Sequence, residues 1–371
     1  MRLSEACLNA ARHPRTRSSI FDGDGSSSST WRRREWTDEP APLGAELYNP
    51  QLKMLSSPLR RCILTQKVLP SDMMVRFELT RSPATASGPA PRLVCQPAKM
   101  MHSRFEDRSQ GTTGKGMWVA CWRSAVERLA NKGAYKRLHA SAAMDPKTIG
   151  IKTHSHLVRR VVQEAELMAG RMKGWQGAWI ENEDDIPVRR TTREGLEELW
   201  QAHLAGTTRR IAAILDLSPL PSPSNASAPS TKVAAFLPTL TDRRIPYFRL
   251  APFFDSVVVH PNSLPIWPRY ADDDPTPAAD RFLANVRANL DGVVSLLQRR
   301  LARRRVGAGS TVAALPEPRG EGDLYVLFAP FIDLDPSRYD EAELAKAEAV
   351  VPLVVALMRM RLWTGEGWAA E

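Results

Sequence analysis

The stretch "SPLRRCILTQKVLPSDMMVRFEL" at residues 57–79 decides how the first part of this chain folds. Its second half alternates apolar and polar side chains around Arg76, which is the pattern of a half-buried β-strand. Short apolar runs separated by turn-forming residues continue to "MWVAC" at 117–121, and a helical pattern follows Arg123. The sequence therefore predicts a small α+β unit over residues 55–140.

The net charge of the chain is concentrated in that same unit. The whole sequence of 371 residues carries a net charge of +10. Residues 55–140 hold 15 of the 51 Lys and Arg but only 5 of the 41 Asp and Glu, whereas the rest of the chain holds 36 of each sign. A solvated surface usually mixes both signs, so a segment this one-sided favours a polyanionic partner, nucleic acid first.

A second stretch, "GTTGKGMWVACWRSAVERL" at 111–129, contains a Gly-Lys-Gly motif before the aromatic strand. Gly114 and Gly116 allow backbone N–H groups to face an anion, Lys115 adds a charge, and Trp118 offers a stacking face. A plain hairpin or strand-entry turn with Trp118 in the core is the alternative left open. The stretch lacks the spacing and the hydroxyl of a nucleotide P-loop, which excludes that kind of NTPase site.

Together the two stretches resemble the YlxR family of small bacterial proteins. Its pattern is Arg-x-Cys with Thr or Cys three residues on, a Pro turn, a strand ending in Ile/Val-Arg, then Gly-Arg-Gly-Ala-Tyr/Trp-Val and a closing helix. Here Lys115 and Met117 replace the usual Arg and Ala, and the resemblance covers only residues 55–140. It implies a compact two-layer domain with a small sheet, and binding to RNA, including the RNA of RNase P, or to nucleoid DNA.

The predicted nucleic-acid contacts are the basic residues of this unit together with the Gly-Lys-Gly motif and its tryptophan. The helix after Ser124, with Ser124 and Glu127 placed as a capping box, is expected to bury Val126 and Leu129 and to expose its cations. The full set is Arg60, Arg61, Arg76, Gly114, Lys115, Gly116, Trp118, Arg123, Arg128 and Lys132. Phosphate neutralisation with limited sequence readout is the expected binding mode.

The chain outside this unit predicts three further segments. Residues 150–217 are expected to be helical, and the Ser- and Pro-rich residues 218–231 to be a linker or loop that marks a domain or subdomain boundary. Residues 232–371 predict a mixed α/β region of unknown role, with a long helix from Pro277 to about Arg305. The whole chain is therefore predicted to be α+β, with a small two-layer YlxR-like domain, a helical segment and a mixed α/β C-terminal region.

The first 45 residues predict a disordered leader or tail. The first 20 of them carry four Arg and a single acid, Glu5, with interspersed Ser and Thr. That composition is typical of a mitochondrial transit peptide, and a disordered basic tail is the alternative. We therefore expect a mitochondrial location.

The composition also argues against several classes of site. Four scattered cysteines do not form a zinc motif and are interpreted as reduced thiols, so no metal and no cofactor is expected. The longest apolar run, at 349–358, is too short to span a membrane and contains Pro352. His154, His156, His203 and His260 have no nucleophile or carboxylate at a diagnostic spacing.

These observations predict an RNA-binding protein of organellar RNA processing or translation. Its expected partners are RNA, either rRNA or an RNase P-like RNA, and ribosomal or processing proteins. The alternative is a ribosome-associated or assembly scaffold without RNA affinity of its own. An enzyme is not expected, although one within residues 232–371 stays open if Asp255, His260 and Asp333 lie close together.

Overall fold

The computed structural model describes residues 49–81, 92–98, 100–102, 112–174, 186–204, 210–219, 245–255, 278–307, 323–329 and 341–365. The predicted leader at 1–45 and nearly all of the predicted linker at 218–231 lie outside these residues. The described chain forms helices and three small sheets. Its fold class is α+β, as the sequence predicts.

The basic unit begins with a short helix and a two-stranded hairpin, followed by an antiparallel sheet of three strands and a helix. Its elements are α1 (Pro50–Ser56), β1 (Leu59–Arg61), β2 (Val68–Pro70), β3 (Met74–Arg81), β4 (Leu93–Ala98), β5 (Thr112–Ala120) and α2 (Arg123–Lys132). The strand order is β4–β3–β5. Val75, Phe77 and Leu79 of β3 are buried on one face, as their alternation predicts. Met74, Glu78 and Thr80 on the other face are buried too, so the prediction of a half-buried strand is wrong.

The rest of the chain forms longer helices and a mixed four-stranded sheet. Its elements are α3 (Ile149–Gly174), β6 (Val188–Thr191), α4 (Arg193–Leu204), β7 (Arg210–Asp216), β8 (Tyr247–Arg249), α5 (Ala251–Asp255), α6 (Ala278–Gly307), β9 (Leu324–Ala329) and α7 (Glu341–Trp363). The strand order is β6–β9–β7–β8, and only β8 runs parallel to its neighbour. The long helix predicted from Pro277 to about Arg305 is confirmed by α6.

The helical prediction for residues 150–217 is only partly right. Helices α3 and α4 are present, but β6 and β7 are strands, and Ile211, Ile214 and Leu215 lie in β7 rather than in a helix. Strand β7 is covered on both faces, so its residues form one continuous apolar run, and such a run fits helical spacing equally well. The sheet takes two strands from each side of residues 218–231, so this segment joins strands of one sheet.

Helices cover both faces of the four-stranded sheet. On one face Leu196 and Trp200 of α4 pack with Ile214 and Val326. On the other face Tyr325 and its neighbours of β7 and β9 join a larger cluster that includes α3, α6 and α7. Alternation along β9 sends successive side chains to opposite faces, which explains why this strand is apolar throughout.

The basic unit shares this larger hydrophobic cluster, which runs from Cys62 to Trp363. Helix α3 contacts α2, α6, α7 and β4. The Cys121 thiol donates to the carbonyl oxygen of Arg359 at 3.5 Å, and Arg359 Nη2 donates to the carbonyl oxygen of Met74 at 2.9 Å. Helix α7 at the C-terminal end thus supports the sheet of the basic unit directly.

Helix α7 contains the longest apolar run of the sequence. Its residues at 349–351, 353, 354, 356 and 357 are buried within the protein, where the helix contacts α3 and β9. Among the helices that the structure describes, none has the length and apolar character that a bilayer crossing requires. The apolar run is explained by burial between protein elements.

Candidate nucleic-acid interface

Trp118 contacts two guanidinium groups at the edge of the three-stranded sheet. It lies directly opposite Arg76 in the register of β3 and β5, and the Arg76 guanidinium carbon is 5.8 Å from the centre of its ring system. The Arg60 guanidinium carbon is 5.9 Å from the same point. The backbone N–H of Ile63 donates to the carbonyl oxygen of Trp118 at 2.9 Å, which holds β1 beside β5. Trp118 is half-buried, so its ring packs on the core and also carries two cation–π contacts.

Arg76 forms an ion pair within its own strand. Arg76 Nη2 lies 2.5 Å from Glu78 Oε1, and the side chains are 21% and 1% exposed. Residues two apart on a strand share a face, which brings the two groups together. A carboxylate this deeply buried needs a partner charge, so Arg76 neutralises Glu78. The ion pair leaves Arg76 less available to a phosphate than the sequence predicts. A contact between Arg76 and RNA stays a prediction.

The Gly-Lys-Gly motif lies inside strand β5 and does not form a turn. Gly116 pairs with Glu78, and a Cβ atom at Gly116 would lie 2.9 Å from Arg76 Nε and 3.1 Å from the Phe77 carbonyl oxygen. Glycine is needed there because Arg76 and the β3 backbone approach closely. The turn interpretation of this motif is therefore wrong.

A bulge accounts for the other half of the motif. The register of β3 and β5 shifts between Glu78 and Thr80: Glu78 pairs with Gly116 and Thr80 with Thr112, so a step of two residues along β3 matches a step of four along β5. Gly114 and Lys115 lie in this bulged part of β5. Bulges interrupt ladder pairing and are common at sheet edges and functional sites, so they leave backbone groups of Gly114 and Lys115 outside the regular ladder.

Helix α2 presents its cations as the sequence predicts, but its first turn differs. The helix begins at Arg123 after Trp122, and no side chain caps it, so the capping box predicted from Ser124 is wrong. Glu127 instead accepts from Arg123 Nε at 2.9 Å, which draws the carboxylate toward the cation one turn earlier. Val126 is fully buried, and the helix ends at Gly133 in the left-handed conformation.

The exposed cations continue past the end of α2. Arg128 and Lys132 are exposed one turn apart on the helix. Lys136 and Arg137 are exposed on the 3-10 turn Ala134–Arg137 that follows. None of these four cations has an acidic partner among the residues that the structure describes. The sequence-based set omitted Lys136 and Arg137 because the left-handed turn at Gly133 interrupts the helical spacing that linked the others.

The structure separates the two adjacent arginines of β1. Arg61 lies directly opposite Val68 of β2, and Arg60 lies opposite Leu69. Because side chains alternate along a strand, Arg61 faces away from the side on which Arg60 contacts Trp118. Of the predicted contacts, Arg60, Arg76 and Trp118 therefore form one cluster, while Arg61 belongs to another surface. The side chain of Lys115 lies outside the described set.

The structure describes two histidines on α3, of which His154 is buried and His156 is half-buried. Nε2 of His154 and the carbonyl oxygen of Phe253 are 2.8 Å apart, and burial lowers the pKa of His154. Burial, with the nearby charges of Arg159 and Lys152, lowers the pKa of His156 to about 4. In both cases burial favours the neutral form of the imidazole.

The cysteines in the described chain are reduced thiols. Cys62, Cys95 and Cys121 are buried and form no disulfide, as the sequence predicts, whereas Cys7 lies outside the described residues. Burial raises the pKa of Cys95 to about 12 and that of Cys121 to about 11, which makes both weak nucleophiles. The described part of the chain also contains no group of three His, Cys, Asp or Glu that could hold a metal ion.

The enzyme hypothesis falls largely outside the described residues. His260 and Asp333 belong to segments that the structure does not describe, and only the backbone of Asp255 is placed, at the end of α5. The expectation that this protein is not an enzyme stays a prediction.

Comparison with known proteins gives no match to this chain: no family model, no curated protein and no solved structure is similar to it at a significant level. The resemblance to the YlxR family therefore rests on the residues quoted above and stays a prediction. The function has to be argued from the chain's own charges and contacts.

Proposed function

We propose that this protein binds RNA through the exposed cations of α2 and of the 3-10 turn after it, with Arg60 beside Trp118 as a further contact. The observation that carries this proposal is the set of four cations at Arg128, Lys132, Lys136 and Arg137. Two other arginines of the unit are already paired, Arg76 with Glu78 and Arg123 with Glu127. Among the described cations of the unit, Arg128, Lys132, Lys136 and Arg137 thus face solvent without an acidic partner within the described residues.

Phosphate neutralisation is the mechanism that fits these residues. Lys and Arg that contact phosphates release condensed counterions, which gives affinity without reading sequence. The exposed cations include two lysines, which act as point charges, and three arginines able to form bidentate contacts. Trp118 is half-buried and flanked by Arg60 and Arg76, so stacking on a base is a minor contribution. We therefore expect preference for structured RNA with little sequence specificity.

The proposed setting is mitochondrial RNA processing or translation. The basic, acid-poor first 20 residues and the bacterial character of the YlxR resemblance support it. The RNA would be an rRNA or an RNase P-like RNA, and ribosomal or processing proteins are the accompanying partners. The alternative, a ribosome-associated or assembly scaffold without RNA affinity of its own, is an outcome of the test below.

The test compares two double charge reversals in the full chain by fluorescence anisotropy with a labelled RNA hairpin. The full chain is needed because α7 supports the sheet of the basic unit. Arg128→Glu with Lys132→Glu is expected to weaken binding about tenfold or more at about 0.1 M salt, because two phosphate contacts become repulsive.

The matched control is Lys173→Glu with Arg303→Glu, which reverses two exposed cations outside the basic unit and changes the net charge equally. It is expected to change affinity less than about twofold at that salt concentration. Equal weakening by both pairs would mean that only net charge matters. Absence of RNA binding by the unmodified chain would favour the scaffold alternative.

A further inference from the structure

Four large apolar side chains are exposed on adjoining elements at the start of the described chain. Leu52 and Leu55 of α1 are 40% and 36% exposed, and Leu59 of β1 and Val68 of β2 are 52% and 54% exposed. They are the exposed large hydrophobic residues of the part that the structure describes. Exposed apolar side chains grouped in this way mark interaction surfaces more often than scattered single ones do.

These side chains lie on two elements that contact each other, the hairpin and α1. Leu59 lies opposite Pro70, and Arg61 lies opposite Val68. These four hairpin residues therefore share one face of the hairpin. Leu52 and Leu55 are three residues apart on α1, which gives them a common face, and α1 contacts β2. We name Leu52, Leu55, Leu59, Arg61 and Val68 the α1–hairpin surface.

The charged side chains of α1 and the hairpin all have the same sign. Arg61 is exposed between Leu59 and Val68, Lys53 lies on α1, and no Asp or Glu occurs between residues 49 and 71. The first acid after it, Asp72, lies close enough to Arg160 of α3 for its charge to act on that side chain. Arg61 has no ion-pair partner within the described ranges. The surface is therefore apolar and cationic.

We propose that the α1–hairpin surface binds an acidic amphipathic helix of a protein partner. The leucine and valine side chains would cover the apolar face of that helix, and Arg61 would pair with one of its carboxylates. Aliphatic side chains offer RNA bases neither a stacking face nor a hydrogen bond, so this surface suits protein better than nucleic acid.

Two other occupants fit less well. A second copy of this chain, joined by a two-fold axis, would bring one cationic surface against another and lose the charge complementarity. A membrane surface is usually bound by a longer amphipathic helix with aromatic residues, whereas α1 has seven residues and the surface has no aromatic side chain. The acidic helix is the partner whose chemistry complements all five residues.

The test uses the full chain and a labelled synthetic peptide with Leu and Glu on opposite faces of a helix. Saturable binding is expected, and Leu59→Ser with Val68→Ser should weaken it about tenfold, because the burial of two aliphatic side chains is lost. Arg61→Glu should weaken it similarly. Both changes affect exposed residues, so the folding midpoint should hardly change.

Three controls make the outcome decisive. A peptide of the same composition with Leu and Glu scrambled should bind weakly, and Ala284→Ser, an exposed position on α6, should leave binding unchanged. RNA affinity should be the same for Leu59→Ser with Val68→Ser as for the unmodified chain. Equal binding of the scrambled peptide, insensitivity to the serine substitutions, or a preference for phosphatidylserine vesicles or for self-association would overturn the proposal.

Discussion

Replacement of Trp363 by Ala is expected to lower the free energy of unfolding by about 3–5 kcal/mol. Trp363 is 2% exposed at the end of α7, and it belongs to the cluster that also contains the core of the basic unit. Its removal leaves a cavity that the surrounding helices cannot fill. Urea denaturation measures the loss, and Leu52→Ala, at a 40% exposed position, is the control expected to cost less than about 0.5 kcal/mol.

Amide hydrogen exchange shows which elements of the protein Trp363→Ala destabilises. Arg359, four residues before Trp363, donates to the Met74 carbonyl oxygen of β3, and its own carbonyl oxygen accepts from the Cys121 thiol. Amide hydrogen exchange in Trp363→Ala should therefore accelerate in β3 and β5 as well as in α7. Faster exchange confined to α7 and the four-stranded sheet would show that the basic unit has an independent core, contrary to the shared cluster.

Replacement of Arg76 by Ala is expected to cost about 3 kcal/mol in the free energy of unfolding. It leaves the Glu78 carboxylate, which is 1% exposed, without its partner charge. We expect the lower end of the range for a broken buried pair because Arg76 itself is 21% exposed. Chemical denaturation measures the loss. Arg123→Ala is the matched control, since the Arg123–Glu127 pair is exposed on both sides and should contribute less than about 1 kcal/mol.

A double-mutant cycle identifies the cause of that cost. Glu78→Gln removes the buried charge at nearly constant volume, so the combined variant Arg76→Ala with Glu78→Gln should recover at least half of the stability lost in Arg76→Ala. Additive losses would mean that the arginine stabilises the protein through packing on Trp118 and not through the carboxylate. A substitution of Arg76 is consequently a poor test of RNA contact, because it lowers the stability of the fold whether or not Arg76 contacts RNA.

Elements built from local periodicity were predictable from the sequence. The apolar stripe of α6, which includes Phe282, Val286, Leu290 and Leu297, repeats every three or four residues and predicts that helix to within a few residues. In β3 the alternation predicts the buried face that holds Val75, Phe77 and Leu79, but it does not predict that Met74, Glu78 and Thr80 on the other face are buried as well. The same alternation also places Arg76 and Glu78 on one face, so this ion pair was within reach of sequence reasoning.

Features that depend on distant pairing were not predictable. Strand β7 is apolar because helices cover the sheet on both sides, and nothing local separates such a run from a buried helix. Gly116 is needed because β3 and Arg76 approach it, although glycines in a sequence more often indicate a turn. The separation of Arg60 from Arg61 follows from the hairpin register, which depends on the pairing of β1 with β2.

The salt dependence of RNA binding by the full chain decides whether the exposed cations of the basic unit contact phosphates. If Arg60, Arg128, Lys132, Lys136 and Arg137 all do, the logarithm of affinity should fall linearly with the logarithm of salt concentration, with a slope of about −4. Arg128→Glu should make that slope shallower by about 1. A slope near zero, unchanged by Arg128→Glu, would contradict an RNA-binding role for this surface.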